Sequence, residues 1–420
     1  MKVVHIVGGD LTKGAGKGAL LLHQGLSNIG VESFILTVYT ENPLRDPSIQ
    51  SRNTFKVNYI QILLRTLLEK AILLPYSKRK QHRAFNTGFF GGSIRNHPLV
   101  KEADIVNIHW VAQGPTSLYD MSCLSMPVVL TIRDMWPFTG GCHYTMECER
   151  YLEGCGKCPQ LGSKNILDLS RLVSKAKANY LPQNLTCVGI SEWISDRAQR
   201  STILGNQLIQ TISNCINTNV FSPIPVQIAR AALEIPTDRE VILVGAVSVT
   251  LFYKGFDLFL ESLYLLKNCN PLILLFGYFN PSDIASIPFD HHSLGYISDD
   301  RLLRLIYSAA DLFVAPSRQE AFGKTLVESM SCGTPVVCFD ATGPKEIVKH
   351  QYSGYKAKPY DVNDLANGIS WVLQNTEDFN LKINSRSHAV ANFSQEIIAK
   401  KYLELYTRIY NDKLNTGQNS

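Results

Sequence analysis

Two glutamates eight positions apart, Glu320 and Glu328, flank a glycine in the second half of the chain. Gly323 follows a predicted strand at 312–315 and precedes a predicted helix from about Lys324, so free backbone N–H groups at this turn can hold an anion. Carboxylates beside an anion site accept hydrogen bonds from the hydroxyls of a sugar or a ribose. The pattern predicts a nucleotide-sugar site, with two solvated carboxylates at a helix start as the alternative interpretation.

This stretch resembles the E-x7-E signature of the retaining family 4 glycosyltransferases, which have the GT-B fold. The resemblance extends in order over most of the chain. It includes the sequence leading into the motif (295–317), the segment Asn214–Pro223, the YKGFDLFLESL stretch around Lys254, and a later loop with Gly354 and Asp361. The glycine loop at 13–18 and the DMWPFTGGCH stretch at 134–143 are similar to a bacterial exopolysaccharide subgroup of the colanic-acid type.

The resemblance implies a role for each matching residue. Glu320 contacts the donor sugar, and Glu328 binds the ribose hydroxyls. Phe322 and Gly323 offer backbone N–H groups to the sugar and the diphosphate. Lys254 neutralises the leaving diphosphate, which a lysine and a helix N-terminus can do without a divalent metal. The alternative for Lys254 is a surface lysine before a helix.

Two departures from the family pattern bear on this assignment. Ala246 stands where the family usually has an arginine after the first strand of its second domain. Either Lys254 works alone, or Lys324 or Arg318 substitutes for the arginine. Arg133 stands where many relatives have a histidine, which predicts a different acceptor side.

His109 and Asp134 each follow a predicted strand in the first half and are the candidate catalytic groups on the acceptor side. Either side chain can orient or deprotonate an acceptor hydroxyl, with a packed structural role as the alternative. Retaining transfer in this family is often argued to use the donor's own phosphate, so a protein base is not required.

Two further donor-side residues come from the resemblance. Gly14 aligns with a family glycine whose backbone approaches the ligand, although KGAGKG does not have the spacing of a P-loop. The alternative for Gly14 is an ordinary strand–helix turn. Ile297 lies in the loop that discriminates the nucleotide base.

Four cysteines cluster in a loop of the first half. They are Cys142, Cys148, Cys155 and Cys158. Only the last two have the two-residue gap of a zinc knuckle, and the loop has little apolar surface to bury. The hypothesis is a structural zinc ion, with disulfides and plain thiols as alternatives, and no cofactor is expected for catalysis.

The stretch Tyr59–Arg83 combines apolar and basic residues. A stripe of apolar side chains is formed by Leu63, Leu64, Leu67, Leu68, Ala71 and Ile72, and a cationic cluster follows with Lys78, Arg79, Lys80 and Arg83. Such a segment can lie on an anionic membrane surface, and the alternative is a core helix followed by a solvated loop.

The elements that must position these residues alternate between short apolar strands and helices along 420 residues. This alternation predicts an α/β protein with two doubly wound, Rossmann-like domains, facing each other across a cleft as in the GT-B fold. The expected boundaries are 1–220 for an acceptor-binding domain and 221–393 for a nucleotide-sugar-binding domain. A helix at about 394–414 is expected to pack back on the first domain.

The charge distribution and the N-terminal sequence limit the classes of function that are expected. Residues 1–222 carry 23 Lys and Arg against 15 Asp and Glu, so the first half is basic and attracts anions. No nucleic-acid motif accompanies this charge. The N-terminus Met1–Asp10 lacks the pattern of a signal peptide, and no apolar run is long enough to cross a membrane. A cytoplasmic protein, peripheral to the plasma membrane, is expected.

These observations together predict a retaining hexosyltransferase. Its donor is a UDP- or GDP-sugar, and its acceptor is a saccharide, expected to be lipid-linked, in surface polysaccharide synthesis. The alternatives are a sugar-nucleotide epimerase or phosphorylase of the same fold, and a non-catalytic binding partner in polysaccharide assembly.

Overall fold

The computed structural model describes residues 1–38, 46–53, 55–79, 84–111, 114–267 and 269–417. It divides into two compact units. The first comprises Met1–Ser213 with Ile398–Ser420, and the second comprises Asn214–Ile397. The division falls after Ser213, where the sequence analysis placed it after residue 220.

The first unit is built on a sheet of seven parallel strands in the order β3-β2-β1-β4-β5-β6-β7. The strands are β1 (Lys2–Val7), β2 (Glu32–Thr37), β3 (Ile49–Ser51), β4 (Ile105–Trp110), β5 (Val128–Ile132), β6 (Leu185–Gly189) and β7 (Leu208–Thr211). The strands β5 and β6 are buried along their whole length, as expected where helices cover both faces of a parallel sheet.

The second unit has six parallel strands in the order β10-β9-β8-β11-β12-β13. They are β8 (Val241–Ser248), β9 (Leu272–Tyr278), β10 (His291–Ser293), β11 (Leu312–Ala315), β12 (Val336–Phe339) and β13 (Gly354–Ala357). The prediction of two doubly wound α/β sheets is confirmed by these topologies.

Helices connect the strands in both units. They are α1 (Gly14–Asn28), α2 (Phe55–Leu73), α3 (Pro98–Lys101), α4 (Leu118–Ser122), α5 (Leu169–Asn179), α6 (Glu192–Gln199), α7 (Val226–Ala232), α8 (Phe256–Leu263), α9 (Pro281–Ala285), α10 (Asp300–Ala309), α11 (Lys324–Ser331), α12 (Pro344–Ile347), α13 (Val362–Asn375), α14 (Leu381–Phe393) and α15 (Gln395–Gly417). Single 3-10 turns lie at Trp136–Phe138, Arg150–Glu153 and Phe252–Lys254.

The segment that follows Ser213 belongs to the second unit because Arg386 binds it there. The Arg386 guanidinium donates to the carbonyl oxygens of Thr218 and Phe221, at 2.9 and 2.7 Å, and to that of Ser331 at 2.8 Å. These three bonds join the start of the second unit to α14 and α11.

Helix α15 contributes most of its length to the first unit. Tyr406 is buried there, and its hydroxyl accepts a hydrogen bond from Asn107 Nδ2 at 2.6 Å. Thr131 Oγ1 donates to Asn107 Oδ1 at 2.9 Å and lies 3.3 Å from the Tyr402 hydroxyl. The helix is therefore joined to β4 and β5 by a buried polar network as well as by apolar contacts.

Candidate active site

The candidate donor site lies at the carboxyl end of β11, where the chain turns into α11. Gly323 forms the N-cap of α11 with a φ of 111°, a left-handed conformation that favours glycine. No side chain caps the helix, so the first N–H groups of α11 have no side-chain acceptor there. The turn has the properties of an anion-binding helix start.

Lys254 and Glu320 form an ion pair next to this turn. Lys254 Nζ donates to Glu320 Oε2. The lysine precedes α8, and the chain bends at Gly255 with a φ of 69°, where an added Cβ would lie 2.0 Å from the carbonyl oxygen of Pro316. Burial acts to lower the pKa of Lys254, but the charge and hydrogen bond of Glu320 raise it above its usual value. Lys254 is therefore a cation.

A cavity of about 20 Å³ lies between these groups, and Ala246, Lys254 and Glu320 all line it. The two residues that could replace the missing arginine have other partners. Arg318 binds both carboxylate oxygens of Asp257, at 2.6 and 2.7 Å. Lys324 lies 3.4 Å from the carboxylate one turn further along α11. Lys254 is the cation that faces the cavity.

Glu328 lies deeper than Glu320 does. Its side chain is buried, and Oε2 accepts a hydrogen bond at 3.1 Å from the hydroxyl of Tyr307 on α10. Burial and the charge of Glu328 raise the pKa of Tyr307 well above its usual value, so the hydroxyl stays protonated and donates. Sequence analysis missed Tyr307, because a tyrosine on the apolar face of a helix reads as core.

The other donor-side candidates lie around the same edge of the sheet. Phe322 is buried, and its ring packs on Phe393 with the centroids 5.8 Å apart. Ile297 is partly buried in the loop after β10. In that loop Tyr296 stacks on Tyr278 with the rings 5.1 Å apart and nearly parallel. This aromatic pair has no motif that would predict it.

In the first unit the predicted glycine loop turns from β1 into α1. Gly14 has a φ of 44° and open space around its Cα. Gly16 is the glycine that packing requires, since an added Cβ would lie 2.2 Å from the carbonyl oxygen of Asp10. The role of Gly14 in donor binding stays a prediction.

His109 and Asp134 lie where predicted, at the carboxyl ends of β4 and β5, but hydrogen bonds occupy both. Asp134 accepts from Trp110 Nε1 at 3.1 Å, from the Trp136 amide at 2.9 Å and from His143 Nδ1 at 2.7 Å. Burial acts to raise the pKa of Asp134, yet the charge and hydrogen bond of His143 and the other donors hold it below its usual value. His109 is buried with both ring nitrogens engaged, one by Arg133 and the other by a second histidine. A base role for either residue stays a prediction.

The four clustered cysteines line one small cavity, but the zinc hypothesis finds no preformed site. Burial raises the pKa of Cys142 above its usual range and that of Cys155 to about 11. Gly140 N donates to Cys155 Sγ at 3.2 Å. Within the described part of the chain, no three His, Cys, Asp or Glu side chains are arranged to hold a metal ion. All ten cysteines are free, which also removes the disulfide alternative.

Helix α2 carries its apolar residues on the solvent side. The exposed fractions are 54% for Ile60, 48% for Leu63, 53% for Leu64, 53% for Leu67 and 47% for Leu68, and we call these five residues the α2 apolar surface. The buried side of the helix is partly polar: Asn58 donates to Ser51 Oγ at 2.8 Å, and Glu69 accepts from Thr87 Oγ1 at 2.8 Å. No helix among the described residues is long and apolar enough to cross a bilayer.

Basic residues accompany the α2 apolar surface. Lys56, Lys70 and Lys78 are exposed on or just after the helix. Arg79 Nη1 donates to the carbonyl oxygen of Leu73 at 3.1 Å and so caps the end of α2. Lys80 and Arg83, which complete the predicted cationic cluster, lie outside the described residues.

The residues of the candidate donor site lie within one family match. The model of the glycosyl transferases group 1 family matches residues 226–388. The match makes this part of the chain similar to the group 1 glycosyl transferases. The matched range includes Lys254, Glu320 and Glu328, and it lies wholly within the second unit.

Curated relatives match the chain over part of its length. N,N'-diacetylbacillosaminyl-diphospho-undecaprenol alpha-1,3-N-acetylgalactosaminyltransferase of Campylobacter jejuni is 31% identical over 204 residues, which cover 46% of this chain and 52% of that protein. O-antigen chain mannosyltransferase B of Escherichia coli is 42% identical over 85 residues, 20% of this chain and 21% of that protein. The chain thus spans about half the length of the first relative.

Solved structures match over nearly the whole chain. A glycosyltransferase from Rickettsia africae has a TM-score of 0.66 at 16% identity, covering 97% of this chain and 98% of that chain. Anabaena HepE in complex with UDP-glucose has a TM-score of 0.63 at 16% identity, covering 97% and 100%. At these identities the likeness establishes the fold, which is that of the GT-B glycosyltransferases.

Proposed function

We propose that this protein is a retaining glycosyltransferase that transfers a hexose-type sugar from a UDP- or GDP-sugar to a saccharide acceptor. The observation that carries the proposal is the Lys254–Glu320 pair beside the uncapped start of α11, inside the range that matches the group 1 glycosyl transferases. Lys254 and the N–H groups after Gly323 offer positive charge to a diphosphate. Glu320 accepts a hydroxyl of the donor sugar.

The proposed reaction breaks the bond between the anomeric carbon and the diphosphate oxygen. Negative charge grows on the leaving diphosphate while the sugar passes through an oxocarbenium-like state. Lys254 stabilises that charge most in the transition state, which is the condition for it to accelerate the step. The acceptor oxygen bonds to the anomeric carbon on the same face, and its proton passes to an oxygen of the leaving phosphate.

The acceptor we propose is a lipid-linked saccharide of surface polysaccharide synthesis. The relative from Campylobacter jejuni is named for a diphospho-undecaprenol acceptor, and the Escherichia coli relative is named for an O-antigen chain. A basic first half of the chain, with 23 Lys and Arg against 15 Asp and Glu over residues 1–222, suits an acceptor that carries phosphate.

Calorimetric titration with UDP, GDP and ADP tests the donor site. We expect one nucleotide to bind, and Lys254→Ala and Glu328→Ala each to weaken it at least tenfold, about 1.4 kcal/mol. Lys267→Ala, which changes an exposed lysine after α8, is the matched control and should leave the affinity unchanged.

The outcomes of this titration separate the candidate functions. Binding of none of the three nucleotides would overturn the transferase proposal and favour a binding partner without catalysis. Release of a modified nucleotide sugar in the absence of acceptor would favour an epimerase.

We further propose that the α2 apolar surface lies on an anionic membrane. Five half-exposed apolar side chains on one helix form a continuous patch of the kind that marks an interaction surface. Exposed Lys56, Lys70 and Lys78 next to the patch suit a negatively charged lipid surface. A membrane-bound acceptor would thereby be met at the bilayer where it resides.

Vesicle flotation tests this surface. The protein should float with phosphatidylglycerol vesicles and not with phosphatidylcholine vesicles, and the bound fraction should fall as salt rises. The double variant Leu64→Gln, Leu67→Gln should lose binding. Leu172→Gln with Leu208→Gln, two leucines of similar exposure elsewhere in the first unit, is the control and should float as the unmodified protein does. Equal flotation of both double variants would contradict the proposal.

A further inference from the structure

Three histidines of the first unit lie in one row of hydrogen-bonding groups. The row consists of six contacts: Arg133 Nη2 to His109 Nδ1 at 3.0 Å, His109 Nε2 to His5 Nδ1 at 2.8 Å, His5 Nε2 to Ser33 Oγ at 3.2 Å, Ser33 Oγ to His23 Nδ1 at 2.8 Å, His23 Nε2 to Ser48 Oγ at 3.0 Å, and Ser48 Oγ to Asp46 Oδ1 at 2.5 Å. We call these seven residues the histidine chain.

The direction of every hydrogen bond follows from the arginine end. A guanidinium can only donate, so His109 Nδ1 accepts and its proton lies on Nε2. That proton is donated to His5 Nδ1, so His5 also carries its proton on Nε2. The His5 proton is donated to Ser33 Oγ, which leaves the Ser33 hydroxyl free to donate onward to His23.

The aspartate end gives the same assignment independently. A carboxylate can only accept, so the Ser48 hydroxyl donates to Asp46 and its oxygen accepts from His23 Nε2. His23 then accepts at Nδ1 from Ser33. The two ends agree at every link, and all three histidines are neutral with the proton on Nε2. Burial, with the positive groups nearby, holds the pKa of His5 and of His109 well below 6.5.

The residues of the histidine chain come from separate strands and helices. His5, Ser33 and His109 come from the adjacent strands β1, β2 and β4, and His23 comes from α1. Arg133 follows β5 at the carboxyl edge of the sheet, the edge at which open parallel sheets bind ligands. Its side chain is buried, and its Nε and Nη2 groups donate to His109 Nδ1. The planar guanidinium carries further N–H groups of the kind that bind phosphate.

We propose that the histidine chain is a positioning device, which fixes the Arg133 guanidinium at the carboxyl edge of the first sheet to bind a phosphate group of the acceptor. The acceptor role rests on the proposed transferase function, whereas the hydrogen-bond direction does not. His5, His23 and His109 are positioning residues in this proposal. Arg133 is the group that meets the ligand.

Nitrogen NMR of protein with labelled histidines tests the hydrogen-bond directions in the histidine chain. We expect three histidines with Nε2 protonated and Nδ1 unprotonated, unchanged from pH 8 to pH 6. A proton on Nδ1 of any of the three, or a titration centred near pH 6.5, would overturn the assignment.

Variants at the Asp46 end of the histidine chain test the same assignment. Asp46 is partly exposed and lies at the opposite end from Arg133, so Asp46→Ala removes the last acceptor without emptying the core. We expect Asp46→Ala to change the Nδ1 signal of His23. Asp46→Asn keeps an acceptor oxygen and should restore the signal, and Glu32→Ala, an exposed carboxylate on β2, is the control. Identical signals in the Ala and Asn variants would count against the chain.

Inorganic pyrophosphate is the probe for the ligand. Its addition should shift the His109 Nδ1 signal to saturation, because an anion bound to the guanidinium changes the strength of the hydrogen bond that Arg133 donates to His109 Nδ1. Arg133→Gln should weaken this effect at least tenfold, and Asp46→Ala about threefold. A His109 signal that stays constant would overturn the phosphate role. UDP titration measures binding at the second unit separately. A protein that does not bind UDP but keeps the His109 response would contradict the transferase proposal and leave the role of the histidine chain standing.

Discussion

The pKa values of two lysines, the partly buried Lys254 and the buried Lys177, shift in opposite directions because their neighbours differ. Lys254 faces Glu320, and that carboxylate raises the lysine's pKa. Lys177 instead donates to the carbonyl oxygens of Trp136 and Thr139 and lies 3.5 Å from the centre of the Trp136 ring. Burial lowers the pKa of Lys177 to about 7, because carbonyls and a ring offset less of the desolvation cost than a carboxylate does.

Replacement of Glu320 should change how nucleotide binding depends on pH. The Glu320→Gln variant lacks the carboxylate that raises the pKa of Lys254, whereas burial still lowers it. The pKa of Lys254 is therefore lower in this variant than in the unmodified protein. The cation is then lost at a lower pH, and nucleotide affinity should decline below pH 10.5, the ordinary pKa of lysine, where the unmodified protein holds its affinity. Calorimetry across this range checks the shift, and equal pH profiles for the two proteins would contradict it.

The neutral histidines make stability depend on pH in the acid range. The pKa values of His5, His109 and His23 are lowered in the folded protein, so below about pH 6.5 the unfolded chain takes up protons that the folded chain does not. The free energy of unfolding should therefore fall as pH falls from 6.5, by up to about 1.4 kcal/mol per pH unit for each of His5 and His109 and by less for His23.

Urea unfolding followed by tryptophan emission measures this slope, since three of the four tryptophans lie in the first unit. His292→Ala, which changes an exposed histidine of the second unit, should leave the slope unchanged. A free energy of unfolding that is flat from pH 6.5 to 5 would disprove the expectation.

Residues of the candidate site could be predicted from the sequence only where they lie close together in one motif. Glu320, Gly323 and Glu328 follow each other along the chain, and their spacing identifies them. Tyr307 and the Tyr278–Tyr296 pair reach the same region through the fold, and nothing in their local sequence separates them from core residues.

At the scale of elements, α2 reverses the usual distribution of residues. Leu63 and Leu67 face solvent while Asn58 and Glu69 face the protein. The sequence stripe was identified correctly, but its direction depends on partners such as Thr87 that lie far along the chain. A stripe alone does not tell whether it faces the core or the outside.

Substitutions on α2 should therefore have effects opposite to those of an ordinary helix. Glu69→Leu should cost about 1–3 kcal/mol, since it leaves the buried Thr87 amide and hydroxyl without their acceptor. Leu67→Gln should change the free energy of unfolding by less than about 0.5 kcal/mol, because that side chain is half exposed. Urea unfolding compares the two, and a larger loss in Leu67→Gln would contradict the orientation of the helix.

Three short strands that no apolar run in the sequence indicates share a position in the sheets. β3, β10 and β13 all lie at sheet edges, where one side has no neighbour. Their sequences, Ile49–Ser51, His291–Ser293 and Gly354–Ala357, are short and partly polar, so they lack the apolar run of a covered strand. The central strand β11 begins and ends where the strand at 312–315 was predicted, because both its faces are buried.

For the molecule as a whole, the two units differ in whether their residues are continuous in the sequence. The second unit is one uninterrupted stretch, whereas the first is completed by α15. The predicted return of the last helix rested on a resemblance, and no local pattern identifies the side to which an amphipathic helix packs. Tyr402 and Tyr406 are buried against hydrogen-bonding partners that lie hundreds of positions earlier.

Truncation after Ile397 should affect the two units unequally. It removes the buried Tyr406 and leaves Asn107 without its acceptor, so the first unit should unfold at lower urea. Nucleotide binding by the second unit should persist. Truncation after Tyr410 removes mainly exposed residues and is the control. Loss of nucleotide binding in both truncated proteins would show that the units are not separable in this way.

The path of α15 also sets an order of events during synthesis on the ribosome. All seven strands of the first sheet emerge early, but the helix that covers β4 and β5 emerges after the second unit is complete. Until then the polar groups of Asn107 and Thr131 lack their tyrosine partners. The first part of the chain to be made is thus the last to finish folding, and in the meantime it exposes the surface that α15 later buries.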